Sequence, residues 1–228
     1  MREKRIIPSY GRKISHGLSE TQKNNISDLY RLYGINLSTD MIDPIELFNG
    51  KFKKIILEIG FGNGEHLINH AILRPDLGFI GADPFENGLA NILGEMRNYD
   101  LKNIKIFNGD ARFLLEKLKK HSLHRVYILF PDPWRKRKHH KRRLLSTEFI
   151  SDLIKKMVFG GNATVATDHW DYMLNVLKNL KKIPNLGYCD DINLLSQKPS
   201  CLLKTKYEQK ALSEKKKCYY LRIYTPIT

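Results

Sequence analysis

The sequence has few cysteines and no long apolar run. Its three cysteines, Cys189, Cys201 and Cys218, lie far apart and form no C-x-x-C pair. This pattern argues against a disulfide framework and a zinc site, and favours a reducing compartment. No stretch approaches the roughly 18 apolar residues of a membrane-spanning helix, and the N-terminal segment has no apolar signal-peptide core. We therefore expect a cytoplasmic protein with no metal and no membrane partner.

Acidic residues are also scarce relative to basic ones. The chain of 228 residues has 24 Asp and Glu against 39 Lys and Arg, a formal net charge of +15. Such an excess favours a nucleic acid as partner. The length predicts one large domain. Residues 1–25 are polar, with six basic side chains against two acidic ones. We predict that they form a basic arm, disordered without RNA, before a single domain at 26–228.

Short apolar runs alternate with helix-length segments through most of the chain. Strands are predicted at 53–60, 77–83, 104–110, 125–132 and 161–168, and each is followed by a helical pattern. Continuous Val, Ile and Leu runs followed by helices are typical of a parallel sheet covered on both faces. Two final strands, at 186–192 and 218–225, have no clear helix between them. The predicted fold is α/β and Rossmann-like: a mostly parallel, doubly wound sheet with an antiparallel edge hairpin.

The first strand ends in a glycine loop with acidic flanks. The segment "LEIGFGNGEHL" has the spacing E-x-G-x-G-x-G, with Glu58, Gly60, Gly62 and Gly64. The dinucleotide fingerprint G-x-G-x-x-G requires a third glycine at residue 65, where this chain has Glu65. Glu58 and Glu65 would also repel a pyrophosphate. The loop suits a ligand without phosphates that carries positive charge, and S-adenosyl-L-methionine, with its sulfonium and ammonium groups, is such a ligand.

Acidic residues also end the next three strands. Asp83 ends the second strand, where a carboxylate can accept both ribose hydroxyls. Asp110, which ends the third, is placed to accept from the adenine amino group, and Asp132 ends the fourth. Any one of these acids could be a helix N-cap, but the set behind a glycine loop predicts a ligand site. Together these features indicate a class I methyltransferase.

The fourth strand runs into "PDPWRKRKHHKRR", residues 131–143. Enzymes that methylate exocyclic amines of adenine or cytosine often have an Asp/Asn-Pro-Pro-aromatic element at this place. Here one proline is missing. Seven Lys or Arg follow within residues 135–143. A charge run alone indicates only a solvated face, but one that begins at the catalytic edge could fix the register of a nucleic acid through its phosphates. Trp134 could stack on a base or pack beneath the loop.

The chain resembles the bacterial tRNA (guanine-N7-)-methyltransferases over nearly its whole length. The most specific match is to the family element P-D-P-W-x-K-x-R-H-x-K-R-R, in which Lys138 stands where the family has Arg. Asp83 replaces the glutamate usual after the second strand. "TDHWDY" at 167–172, "TKYE" at 205–208 and the less diagnostic "GRKISHGL" at 11–18 are also similar to family segments.

This resemblance implies methylation of a guanosine in the tRNA variable loop, usually position 46, with no obligate protein partner. Asp132 is implied to be the catalytic residue and to contact S-adenosyl-L-methionine. The implied cofactor residues are Glu58, Gly60, Gly62, Gly64, Asp83 and Asp110. The implied substrate residues are Lys136, Asp168, Thr205, Lys206, Tyr207 and Glu208. Contacts to the tRNA backbone are expected from Arg135, Arg137, Lys138, Lys141, Arg142 and Arg143.

Two alternatives remain at this point. One is an exocyclic-amine methyltransferase acting on adenine N6 or cytosine N4, which the Asp-Pro-Trp element favours. The other is a non-catalytic RNA-binding protein with a vestigial cofactor loop. The complete set of strand-end acids argues against the second.

Overall fold

A seven-stranded sheet forms the centre of the protein. The structure, a computed structural model, describes residues 13–37, 40–200 and 202–227. The strands are β1 (Ile55–Ile59), β2 (Gly78–Ala82), β3 (Ile104–Phe107), β4 (Leu123–Leu129), β5 (Met157–Thr167), β6 (Gly187–Tyr188) and β7 (Tyr219–Tyr224). Their order is β3-β2-β1-β4-β5-β7-β6. Strands β1 to β5 pair in parallel, and β7 pairs antiparallel with both β5 and β6.

Helices cover both faces of this sheet. They are α1 (Glu20–Tyr33), α2 (Glu65–Leu73), α3 (Glu86–Asn98), α4 (Ala111–Lys117), α5 (Thr147–Lys156), α6 (Trp170–Leu180), α7 (Ile192–Leu195) and α8 (Lys206–Ser213), with 3-10 turns at Glu46–Phe48 and Arg137–Arg142. Helices α4 to α6 share one apolar core, and α1 to α3 share the other. Among the described residues, no helix is both long and apolar enough to cross a bilayer.

The central strand shows how the sequence builds the two cores. Every residue of β1 is buried, as expected for a strand with helices on both sides. Successive side chains alternate between faces, so Leu57 joins the core of α4 to α6 and Ile56 joins the core of α1 to α3. Glu58 shares the face of Ile56. The alternation of side chains along β1 therefore places the Glu58 carboxylate beneath α2, immediately before the glycine loop.

The predicted fold class is confirmed, but its edge is built differently. The final two strands are antiparallel, as predicted, and β7 lies between β5 and β6. They are not joined by a simple hairpin, because α7 and α8 lie between them in the chain. Helix α8 begins at the Thr205 cap and carries the segment that the family resemblance assigns to substrate.

Part of the segment predicted as an arm is helical. Helix α1 begins after a capping box formed by Ser19 and Gln22, so the predicted boundary at residue 25 falls inside it. Residues 13–16 contact the start of α3, where the Asn87 side chain accepts from Ser15 N at 2.9 Å and donates to His16 O at 3.1 Å. Residues 1–12 of the arm, and Cys201, lie outside the described residues.

A close backbone contact joins α3 to the glycine loop. A Cβ added at Gly88 would overlap the carbonyl oxygen of Gly62. Because the obstacle is backbone, the added atom could be accommodated only if the loop or the helix moved. The position of the loop therefore depends on glycine at residue 88.

We expect Gly88→Ala to destabilise the protein by about 1–3 kcal/mol, the usual cost of overpacking. Gly94→Ala is the matched control in the same helix, because the added Cβ meets only the Asn25 side chain. Alanine also has a higher helix propensity than glycine. Denaturant unfolding measures both. Equal stability of the two variants would contradict the close contact.

Candidate active site

The main cavity lies at the carboxyl ends of the parallel strands. It has a volume of about 440 Å³ and is bounded by the glycine loop and the ends of β2, β3 and β4. The sequence-predicted residues that line it are Gly60, Gly62, Asp83, Asp110, Asp132, Trp134, Arg142 and Tyr207. A smaller cavity of about 40 Å³ shares Gly60, Leu129 and Tyr207 with it, and is also lined by Glu58. The topology thus brings together acids that are far apart in the chain.

The glycine loop needs its three glycines for conformation. Gly60, Gly62 and Gly64 have φ angles of 78°, 55° and 85°, in the left-handed region that residues with a Cβ rarely adopt. Gly64 lines neither cavity; it precedes α2, and a Cβ there would collide with Ile92. In the structure, Gly64 therefore serves the packing of the loop on α3.

Asp83 is a buried carboxylate held by two backbone donors. Its Oδ2 accepts from Gly62 N at 2.8 Å, and its Oδ1 accepts from Phe85 N at 2.9 Å. Burial raises the pKa of Asp83 to about 6, and the negative charges of Glu58 and Asp132 act in the same direction, whereas the two N–H groups lower it. The carboxylate ties the glycine loop to β2 and titrates close to neutral pH.

Asp110 is a helix cap that also lines the main cavity. It caps α4, since its Oδ1 accepts from Arg112 N at 3.0 Å and Arg112 Nε at 2.9 Å. An Arg112 guanidinium nitrogen lies 2.9 Å from Oδ2. Asp110 and Arg112 also both line the main cavity. The helix cap and the arginine fix the orientation of the carboxylate at the cavity wall.

The loop after β4 has an unusual backbone. Phe130 and Trp134 adopt positive φ angles of 53° and 45°, a conformation that costs on the order of 1 kcal/mol or more for residues with side chains. Asp132, between them, is exposed and lines the main cavity. The Arg142 guanidinium lies 5.0 Å from the Trp134 ring, and His139 meets the ring edge-on at 5.9 Å. The tryptophan is therefore held within the basic loop.

The basic loop divides into exposed and buried cations. Side chains exposed to solvent are those of Arg135, Lys136, Arg137, Lys138 and Lys141, and Arg142 is half-buried. The Arg143 side chain is only 2% exposed, with its guanidinium 2.5 Å from Asp171 and 5.0 Å from the Tyr172 ring. Arg143 Nε also donates to Pro133 O at 2.9 Å.

The expectation of a tRNA backbone contact from Arg143 is therefore revised. Its guanidinium faces the protein interior, because it bridges the loop after β4 to helix α6. Sequence reasoning counted all the cations of the run alike, since a charge run shows no difference between an exposed side chain and a buried one.

The segment 205–208 is split in a similar way. Tyr207 lines the main cavity and lies above Gly62, whose added Cβ would be 3.7 Å from the ring. Lys206 pairs with Glu65 beside the glycine loop. Thr205 caps α8 by accepting from Glu208 N at 3.0 Å. The side chains of Lys206 and Tyr207 thus join α8 to the cavity wall.

Glu208 is 3% exposed and both of its oxygens have partners. Oε2 accepts from Lys198 at 2.6 Å, and Oε1 accepts from the Tyr220 hydroxyl at 2.6 Å. Asp168, the other acid expected to face the guanine, follows β5 and is partly exposed, with Lys216 at 3.5 Å. The structure therefore separates these two acids: Glu208 anchors α8, and Asp168 stays near the surface.

Sequence reasoning missed several residues that build the site. Phe85 and Arg112 hold the strand-end carboxylates, Lys198 holds Glu208, and His66 holds Glu58 through Nδ1 and Oε2 at 2.7 Å. Only the first two had a local signal, because each follows its acid by two residues. The contacts of Lys198 and His66 depend on the tertiary fold.

Comparisons with known proteins show the family to which the chain belongs. A family described as "Putative methyltransferase" matches residues 52–221. A tRNA (guanine-N(7)-)-methyltransferase from Jannaschia sp. (strain CCS1) is 37% identical over 222 residues, which cover 93% of this chain and 92% of that protein. One from Wolbachia pipientis wMel is 37% identical over 201 residues, covering 88% and 87%.

A solved structure with a similar fold is the 16S rRNA methyltransferase KamB, with a TM-score of 0.55 and 14% identity over 86% of this chain and 98% of that one. At this identity the likeness concerns the fold alone, and the curated relatives carry the assignment. The chain belongs to the family of bacterial tRNA (guanine-N(7)-)-methyltransferases.

Proposed function

We propose that this protein transfers a methyl group from S-adenosyl-L-methionine to N7 of a guanine in tRNA, at position 46 of the variable loop. One observation supports this most strongly. The glycine loop and the carboxylates of Asp83, Asp110 and Asp132 line a single cavity, and the chain leaves that cavity through an exposed basic loop. The family supplies the base and the atom, and the variable-loop position is our expectation from the resemblance.

The residues around the cavity fit this cofactor chemically. Each Asp83 oxygen accepts one backbone N–H and retains a lone pair for a ribose hydroxyl. Asp110 stands at the wall where an adenine amino group could donate. A Cβ added at Gly60 would meet no protein atom within 4 Å, so ligand atoms can approach the backbone closely there. Several carboxylates favour a cationic ligand and disfavour a pyrophosphate.

The chemistry requires positioning rather than proton removal. The cofactor supplies an electrophilic methyl group, and guanine N7 already has a free lone pair, so no general base is needed to create the nucleophile. Holding the two reactants in line can supply ~7–11 kcal/mol of the barrier reduction. Positive charge develops on the base as N7 is methylated, and Asp132 would stabilise it electrostatically.

Selection of guanine requires acceptors for its N1–H and N2–H₂ donors. Since both oxygens of Glu208 are engaged within the protein, we assign this role to Asp168. Lys136, an exposed residue two positions after Trp134 in the chain, is suited to guanine O6 or a phosphate. The exposed cations of the basic loop would hold the tRNA backbone, and no obligate protein partner is expected. The substrates and the cysteine pattern fit a cytoplasmic location.

Nucleoside analysis tests the function and its closest rival together. Unmodified tRNA incubated with the protein and S-adenosyl-L-methionine should yield N7-methylguanosine by mass spectrometry. Asp132→Asn should lower kcat by about 100-fold or more, because a charge at the reacting base is lost, while tRNA binding survives. N6-methyladenosine or N4-methylcytidine as the product would contradict the proposal. Tight tRNA binding without methyl transfer would favour a non-catalytic RNA-binding protein.

The raised pKa of Asp83 predicts a pH-dependent cofactor site. As the pH falls through about 6, Asp83 gains a proton and loses acceptor capacity, so affinity should fall; above that pH the affinity should reach a plateau. We expect S-adenosylhomocysteine to bind about tenfold more weakly at pH 5 than at pH 7.5 by calorimetry. Asp83→Asn should bind weakly across this range without that dependence. A wild-type affinity that is constant from pH 5 to pH 8 would exclude this role.

The division of the basic loop makes a prediction about salt. Replacing exposed Arg137, Lys138 and Lys141 with Gln should weaken tRNA binding and flatten the slope of log K against log salt by about 2 to 3. Arg143→Met is the matched control within the same loop: it should lower the melting temperature and leave the slope unchanged. A flattened slope for Arg143→Met alone would restore Arg143 as the phosphate contact.

A further inference from the structure

A buried polar cluster lies behind the glycine loop, on the face covered by α2. It consists of Glu58 on β1, His66 and His70 on α2, and Tyr127 on β4. Glu58 and His66 are each 3% exposed, and His66 Nδ1 lies 2.7 Å from Glu58 Oε2. A buried contact of this kind between a motif acid and a histidine requires an explanation, because histidines are not needed to fill an apolar core.

The contact fixes the tautomer of His66. An ionised carboxylate oxygen can only accept, so Nδ1 must carry the proton and donate. His66 Nε2 is buried and has no hydrogen-bond partner in the part of the chain that the structure describes. The geometry therefore makes His66 Nδ1 the donor and the Glu58 carboxylate the acceptor of this buried hydrogen bond.

Neighbouring rings hold this donor in place. The His66 ring lies 4.4 Å from the His70 ring and meets Tyr127 edge-on at 5.0 Å. His70 is itself neutral near pH 7, because burial lowers its pKa to about 3, with the charges of His66 and Arg125 acting in the same direction. On the outer side, Glu65 is paired with Lys206.

We propose that His66 is a positioning residue for cofactor binding, which orients Glu58 toward the ammonium group at the amino-acid end of S-adenosyl-L-methionine. Glu58 and His66 line the small cavity that shares Gly60 and Tyr207 with the main one, so the carboxylate lies next to the cofactor cavity without lining its main part. The inference rests on the proposed function, because it assumes this cofactor.

Two features of this arrangement make a purely structural histidine a poorer account. A core histidine would be served equally well by a backbone carbonyl, but His66 donates to the acid that precedes the glycine loop. The donor also comes from the first turn of α2, directly after that loop. A shift of the loop therefore changes the carboxylate and its donor together. His66 should affect recognition of one end of the ligand rather than binding in general.

Ligand-resolved binding tests this role. S-adenosylhomocysteine has the ammonium group, and 5′-methylthioadenosine contains the same nucleoside and thioether without the amino-acid part. His66→Gln moves the amide to the Nε2 side and removes the donor from Glu58; His66→Asn keeps a donor near the Nδ1 position. We expect His66→Gln to weaken S-adenosylhomocysteine binding about tenfold or more, with 5′-methylthioadenosine within twofold of wild type, and His66→Asn to recover most of the loss.

Asn69→Ala is the matched control, because Asn69 belongs to the same helix, α2, but its side chain is exposed on the outer face of that helix. It should leave the affinities of both ligands unchanged in calorimetry, with folding of all variants followed by melting temperature. Equal losses for both ligands in His66→Gln, or no loss for either, would overturn the positioning role while the cofactor assignment stands. A wild-type protein that binds neither ligand would overturn the proposed function and this inference with it.

Discussion

The cavity at the carboxyl edge of the sheet is built around a buried carboxylate, Asp83, which ties the glycine loop to β2 through two backbone N–H groups. Burial raises the folded-state pKa of Asp83 to about 6, above its ordinary value of 3.8. Such a group contributes stability at low pH and loses it as the pH rises through about 6, by roughly 3 kcal/mol. Two backbone N–H groups donate to the ionised carboxylate and reduce this loss of stability. A cationic ligand would offset the repulsion of Asp83 by Glu58 and Asp132. The negative charge that is unfavourable in the free protein would therefore favour binding of such a ligand.

The surrounding polar contacts separate the residues that we propose to contact a ligand from the residues that hold them. Arg112 holds Asp110, His66 holds Glu58, and Lys198 with Tyr220 holds Glu208. Arg143 holds the backbone of the loop that presents Asp132. Buried ionic groups need such partners, because an unpaired charge in the interior is strongly destabilising. Several side chains that look like ligand contacts in the sequence therefore act by holding other residues.

The sequence was sufficient for the architecture and for the positions of the acids. Continuous apolar strands require cover on both faces, and parallel strands place their carboxyl ends at one edge, so Asp83, Asp110 and Asp132 had to meet. Helices α1 and α8 were missed because their polar surfaces hide the apolar pattern, although Ser19 and Thr205 gave capping signals. The burial of Arg143 and Glu208 could not be predicted, because it depends on α6 and β7, which are remote in sequence.

We propose that the protein methylates guanine at N7 in the cavity at the carboxyl ends of its parallel strands. This activity is tested most directly with tRNA transcripts in which the guanosine at position 46 is replaced by 7-deazaguanosine, which retains N1, N2 and O6 but has carbon in place of N7. Transfer of radiolabelled methyl from S-adenosyl-L-methionine should occur with the guanosine transcript and be absent with the 7-deaza transcript. Equal incorporation into both transcripts would contradict the account.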